Sequence, residues 1–318
     1  MTLLEVIHET RYDYAAPVSL AHHLTHLKPL DDAFQQRLAF AMSVLPAPER
    51  LHEGVDALGN ADCHFSLAVP HRELRVHALS RVRVWPRFGA LDAEAAPPWD
   101  ALAASLRYVA RAPFQPAVQF AMPSPYVPRF APLRSWALTA FRPGRPVAAA
   151  AIELMRRLHA EFTYQSQSTE VDTPLAEVWQ HKRGVCQDFA HLMAGALRML
   201  GLPVRYVSGY LLTRAPEGGA TMQGADASHA WVQVWCPGTP GVPDDGWLDL
   251  DPTNNLVPGS GHVRVAIGRD FGDVTPLRGV IRGGGKHGLR VAVHTRVLDE
   301  PRGPPSGDGP ERELLETP

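Results

Sequence analysis

One cysteine, one histidine and one aspartate, each at the edge of an expected element, are the residues of this sequence that can do covalent chemistry together. Cys186 lies near the start of GVCQDFAHLMAGALRMLG, residues 184–201. Phe189, Leu192, Met193, Ala196, Leu197 and Leu200 recur at helical spacing, which predicts a helix with one buried face. Gly201 stops it and Pro203 keeps it stopped. Cys186 then sits where the first unpaired backbone N–H groups point, at the positive end of the helix dipole. That setting favours the thiolate, the nucleophilic form. The same N–H groups can stabilise an oxyanion on a carbonyl under attack. A lone cysteine at such a place is more commonly a small packing residue, so its partners decide.

A thiol nucleophile works with an imidazole base and a third group that orients the base. Fifteen histidines offer many false matches. His229 differs by context, because it directly precedes the strand pattern AWVQVW. GWLDLDPTNN follows and carries a strand that ends near Asp251. Adjacent antiparallel strands bring the start of one beside the end of the next. Asp251 can therefore accept a hydrogen bond from one ring nitrogen of His229, leaving the other for Cys186. Asp249 shares a strand face with Asp251 and is the fallback third member. Taken singly, His229 also reads as a loop histidine and Asp251 as a turn former before Pro252.

The elements that must hold these residues fall into two kinds. Residues 1–88 read as β-rich. Val6 to Tyr14 alternate, Ala16-Pro17 breaks that strand, and Leu38, Phe40 and Met42 alternate next. Gly59-Asn60 is a turn signal. Cys63, Phe65, Leu67 and Val69 share a face, as do Leu74, Val76, Ala78, Val82 and Val84. Short alternating strands with turn punctuation predict a sandwich-like module. Residues 89–145 form a proline-punctuated connection, with a helix over 99–112. From 146 helices come first: one over 147–162, then a short one started by Thr173 as cap and Pro174 at the first helical position, then the Cys186 helix. Strands over 204–212, 230–235 and 246–250 follow. This order makes 146–298 an α+β domain with C-terminal strands. The tail 299–318 has almost no apolar residues and should be disordered.

Bulk properties narrow the function. The chain has 318 residues, 45% of them hydrophobic and 20% charged, as in soluble globular proteins. A formal charge of −2 gives no reason to expect nucleic acid or a membrane surface as partner. Three scattered cysteines are no disulfide framework and fit a reducing compartment. With no basic-then-apolar N-terminus, the expected location is cytoplasmic. Cys63-His64 and the His22, His23, His26 group are weak metal candidates, because neither has zinc-site spacing. No metal and no cofactor is expected, and the oligomeric state is left open.

Three segments together resemble the transglutaminase-like cysteine enzyme superfamily: RGVCQDFAHLMAGALRMLGLPVRYVSGYL (183–211), DASHAWVQVW (226–235) and GWLDLDPTNN (246–255). In that family the cysteine, the histidine of the HAW segment and the aspartate of the DPT segment form the catalytic triad, which falls here on Cys186, His229 and Asp251. HETRYDYAAPVSLAHHLTHLKP, DALGN and HRELRVHALSRVRVW look like the β-rich N-terminal region of the bacterial branch, and GRDFGDVTPLRGVIRGGG like its C-terminal segment. The resemblance spans roughly residues 4–297. It implies a papain-like core, with a nucleophile helix packed on an antiparallel sheet, preceded by a β-sandwich-like domain. In some relatives an aromatic residue in the segment matching Phe162-Thr163-Tyr164 helps hold the oxyanion. Tyr164 is the candidate here, against the plainer reading of a core aromatic.

Asp188 and His191 flank the nucleophile as structural or supporting residues. Arg269, Asp270 and Asp273 either line the cleft or fix a loop. The expected activity is thiol-dependent acyl transfer on a peptide or protein substrate. Hydrolysis is favoured over transamidation, because no acceptor tunnel is legible and the bacterial branch is associated with protease activity. The rivals are a catalytically silent peptide-binding module and a metal-dependent hydrolase.

Overall fold

In the computed structural model, which describes residues 1–212 and 228–298, an N-terminal β unit packs against an α+β core. The tail expected to be disordered lies outside those residues.

The N-terminal unit is a seven-stranded antiparallel sheet built along β1 (Thr2–Thr25). Its first half pairs with β5 (His71–Val84) and β13 (His287–Val297). Its second half pairs with β4 (Ala61–Leu67) and β12 (Leu277–Gly283). β2 (Gln35–Leu45) adds to β5, and β3 (Arg50–Val55) adds to β4. Ala16-Pro17, expected from sequence to break the strand, does not end it. The pairing with β5 shifts register between Asp13 and Val18 and the chain runs on, since a proline at an irregularity removes no ladder bond. Phe65 and Leu67 then meet Leu74, Val76 and Ala78 in one apolar layer, which makes the unit sandwich-like. Val69, expected on that face, lies beyond β4 and is exposed.

β12 and β13 differ from the expected division. Leu289 to Val297 alternate as a strand should and form β13, whereas no strand is expected from the sequence over β12; both complete the N-terminal sheet and not the core. Alternation shows that a strand has two faces without naming its neighbour.

The core is organised on α5 (Cys186–Arg198). It is buried on every side from Gln187 to Arg198, where the apolar spacing predicts one buried face. The reason is crowding. α2 (Ala131–Ala137), α3 (Val147–Glu161) and α4 (Leu175–His181) pack around it, with β8 (Val204–Leu211) and β9 (His229–Trp235) behind. Gly195 allows the close approach: a Cβ there would stand 2.9 Å from Leu133 Cδ1. The helix closes with Gly201 at φ +82°, the N–H of Leu202 reaching the carbonyl of Leu197.

α1 (Trp99–Ser105) is shorter than expected. Thr173 does not cap α4: its Oγ1 accepts from the Glu170 N–H, and Pro174 occupies the cap position.

The core sheet runs β10-β9-β8-β11, with β10 at Trp247–Leu250 and β11 at His262–Gly268. It curls so that side chains of its outer strands meet, Asp249 of β10 with Arg264 of β11. Gly209 sits at the tightest point, where a Cβ would lie 2.1 Å from the Val263 carbonyl and 2.5 Å from the Trp231 ring. Among the described residues no helix is long and apolar enough to cross a membrane.

Candidate active site

Cys186 is the first residue of α5, and the chain before it is fixed from two sides. β6 (Thr163–Tyr164) and β7 (Arg183–Gly184) form a short parallel pair. The Asp188 carboxylate, one turn into the helix, accepts from the Val185 N–H at 2.8 Å and from Thr169 Oγ1 at 2.6 Å. Asp188 thus supports the helix start without facing the thiol. Burial raises its pKa against these two bonds. The helix ladder begins with the Asp188 and Phe189 N–H groups, both on the Val185 carbonyl, so those of Cys186 and Gln187 precede it. Pairing places Tyr164 opposite Gly184 and next to this helix start.

The thiol of Cys186 points to the Ser228 carbonyl at 4.0 Å, directly before His229. His229 opens β9 and faces Gly209 of β8. The following strand, β10, pairs antiparallel with β9, and Asp251 comes just after its end. His229 Nε2 lies 2.9 Å from Asp251 Oδ2, with both side chains fully buried. Among the described residues, His229 Nδ1 has no hydrogen-bonding nitrogen or oxygen partner. Besides Asp251, the Cys186 thiol interacts with the ring.

Asp251 is held from five directions. Oδ1 accepts from the backbone N–H groups of Thr253 and Asn254, at 3.0 and 3.1 Å. Oδ2 accepts from His229, from Asn254 Nδ2 at 2.9 Å and from His262 Nε2 at 3.1 Å. His262 and Asn254 escaped the sequence reading. A signal was present for His262, since the alternation of Val263, Val265 and Ile267 sends His262 and Arg264 to the opposite face.

Burial penalises the imidazolium of His229, but the Asp251 charge and hydrogen bond, with the thiol, overcome it and carry the pKa up to about 10. Burial also opposes the Asp251 charge, yet the two histidines hold that carboxylate well below its usual range. Burial pushes His262 down against its bond to Asp251. His262 is therefore a neutral donor at pH 7.

The sign of the pH dependence follows. The raised His229 pKa gives stability that is complete below about 6.5, its unfolded value, and is lost as pH climbs through about 10. The lowered Asp251 pKa gives stability present above about 3.9 and lost in acid. Urea midpoints of wild type and His229→Gln should therefore differ most at pH 5–6 and converge towards pH 10. A gap that widens with rising pH would contradict the ion pair.

Asp249, the fallback third member, pairs with other groups. Its Oδ2 takes Arg264 Nη2 at 2.7 Å and Arg87 Nη1 at 3.4 Å. Gln35, from the N-terminal sheet, accepts from Arg87 Nη2 and the Arg264 N–H through Oε1. His191 Nε2 accepts from the Phe271 N–H at 3.2 Å, and burial lowers its pKa to about 3. Arg269 pairs with Asp273, and Asp270 accepts from the Tyr126 and Gly272 N–H groups, so these residues fix their own loop.

Among the described residues one set converges as a metal site would: His229, Asp251 and His262, with ligand atoms within 4.8 Å of one another. The Cys63-His64 and His22, His23, His26 candidates form no such set. In the convergent set both Nε2 atoms already meet one carboxylate oxygen, an arrangement that the hydrogen bonds themselves explain.

Residues 4–83 match the family described as the bacterial transglutaminase-like N-terminal region, and residues 135–252 match the transglutaminase-like superfamily. An uncharacterized protein of Mycobacterium tuberculosis is 37% identical over 278 residues, 87% of this chain and 86% of its own. One of Mycobacterium leprae is 32% identical over 94% of this chain and all of its own. A protein-glutamine gamma-glutamyltransferase of Pseudomonas aeruginosa is 32% identical over 117 residues, 36% of this chain and 17% of its own. The fold is that of a candidate cysteine protease from Cytophaga hutchinsonii, with TM-score 0.69, 21% identity, and coverage of 96% of this chain and 94% of that one. With a bacterial N-terminal region and a core match that includes Cys186, His229 and Asp251, the chain belongs to the transglutaminase-like superfamily.

Proposed function

We propose that the protein is a cysteine peptidase or amidase acting on peptide or protein substrates. The observation that carries this reading is the His229 ring, fixed through Nε2 on Asp251 and left with Nδ1 for the thiol. The thiolate of Cys186 attacks the carbonyl carbon of an amide. The N–H groups at the start of α5 receive the oxyanion, with Tyr164 as a further donor from β6. The His229 imidazolium gives its Nδ1 proton to the leaving amine as the C–N bond breaks, and a thioester remains. Water then attacks, His229 takes its proton, the C–S bond breaks and the acid leaves.

Cys186 is only partly buried, which leaves the thioester open to water. This favours hydrolysis over transfer to an amine, the activity named for the Pseudomonas relative. No cofactor enters these steps. Three free cysteines favour a reducing compartment, and the cytoplasm is the proposed location.

Mass spectrometry of a peptide library, with and without a primary amine, separates the readings. Cleavage or deamidation that disappears in Cys186→Ala is expected. Amine incorporation as the main product would make the protein a transamidase. Equal labelling of wild type and Cys186→Ala by a chloroacetamide probe, with no turnover, would leave a binding module. Activity lost on chelation and restored by zinc would indicate a metal hydrolase.

A further inference from the structure

Two histidines, from the strands on either side of β8, converge on one oxygen of Asp251. Only His229 has a part in the steps above. His262 opens β11 and its Nε2 lies 3.1 Å from Asp251 Oδ2, with both side chains buried. Its ring stands edge-on to Trp231, with centroids 5.2 Å apart. The same indole stacks beside His229, at 6.1 Å. Trp231 therefore packs against both rings, which stand 6.1 Å apart, and Gly209 leaves room for it.

A carboxylate at a strand end has one soft rotation, about the bond to its carboxyl carbon. The two backbone N–H groups hold Oδ1, so Oδ2 must be held by side chains if it is to stay aimed at His229. Asn254 is one such side chain and lies on the same turn as Asp251. His262 is the one that comes from another strand. Two residues on, Arg264 is itself gripped by Asp249, Asp32 and Gln35. The position of His262 is thus set by contacts that do not involve the site.

We infer that His262 is a positioning residue of the thiol centre: it fixes Oδ2 of Asp251, and through it the ring of His229. The inference rests on the proposed roles of Cys186, His229 and Asp251. It assigns His262 no contact with substrate.

His262→Leu keeps the bulk of the ring and removes the donor. His262→Gln returns an N–H near the position of Nε2. For turnover of a p-nitrophenyl ester, His262→Leu should lower kcat about 10- to 100-fold, the range found for lost orienting hydrogen bonds at metal-bound histidines. KM should change less than about 2-fold, because the loss is confined to the transition state. His262→Gln should recover most of kcat. Proton NMR gives a readout that needs no turnover. The His229 Nε2–H should appear as a sharp low-field resonance in wild type and His262→Gln, and broaden or vanish in His262→Leu.

An unchanged kcat or an unchanged resonance in folded His262→Leu overturns the inference. So does His262→Gln as impaired as His262→Leu, since only packing would then matter. If His262→Leu does not fold, His262→Asn, too short to reach Oδ2, replaces it under the same criteria. Wild type that neither turns over ester nor labels at Cys186 would sink the enzymatic reading instead. The resonance would then judge His262 separately.

Discussion

Cys186→Ala should lower ester turnover by about 10⁶-fold and Asp251→Asn by about 10⁴-fold, as loss of the nucleophile and of the orienting carboxylate do in other triad enzymes. The first loss removes the atom that forms the thioester. The second follows from donor counting. Every group around Asp251 is a donor: two imidazole Nε2–H groups and Asn254 on Oδ2, and two backbone N–H groups on Oδ1. An asparagine must put its NH₂ against one set or the other. Facing the backbone, it sets donor against donor on a turn that cannot move. Facing the histidines, it can be satisfied only if His229 shifts its proton to Nδ1. That tautomer presents N–H to the thiol and cannot accept its proton. Steady-state ester kinetics, with chloroacetamide labelling of Cys186 as a second measure, check both variants. Asp251→Asn with a tenth or more of wild-type activity would remove Asp251 from the triad.

Asp249→Leu should destabilise the fold by about 3–5 kcal/mol, the usual result of removing one member of a buried ionic group. The side chains of Asp249 and Arg87 are fully buried and that of Arg264 nearly so. Burial resists ionisation of Asp249, but Arg264 and Arg87 hold its pKa below the usual range. Without the carboxylate, Arg87 keeps Gln35 and Arg264 keeps Asp32, but two cations face each other in the interior. Burial, sharpened by that neighbour, already lowers Arg87 to about 10. The variant Arg87→Met, Asp249→Leu, Arg264→Met should regain most of the loss, because no fully buried charge of the group is then left unpaired, and Asp32, which loses Arg264, is partly exposed. Urea denaturation of the three forms checks this. If the triple variant is less stable than Asp249→Leu, the ions do more than offset one another's desolvation.

These two predictions draw on parts of the molecule that differed in legibility. Cys186, His229 and Asp251 could be read because each lies beside a local signal: a helix start, a strand start and an Asp-Pro turn. The α+β order and the β-rich N-terminal unit were legible from periodicity for the same reason. Asp249 was kept as the fallback third member because strand parity gives its face but not its partners. Arg87 and Gln35 reach it from far along the chain, and no local pattern announces such a meeting. His262 was half legible, its face given by alternation and its partner given only by the curl of the sheet. β13 was placed in the wrong unit on the same grounds, since pairing over a long separation leaves no mark in either strand.

That long-range pairing also orders events during synthesis. Leu4 pairs with Val297, and the Leu298 N–H reaches the Leu3 carbonyl. At about 5–20 residues per second, β1 leaves the ribosome on the order of fifteen seconds to a minute before β13. β5 covers one edge of β1 early. The other edge keeps its N–H and C=O groups unpaired through that interval, the condition in which strands join the wrong chain. Cys186, His229, Asp251 and His262 are all translated before β12 and β13. A ribosome stalled between β11 and β12 would thus carry every residue of the thiol centre beside a sheet still open along one side.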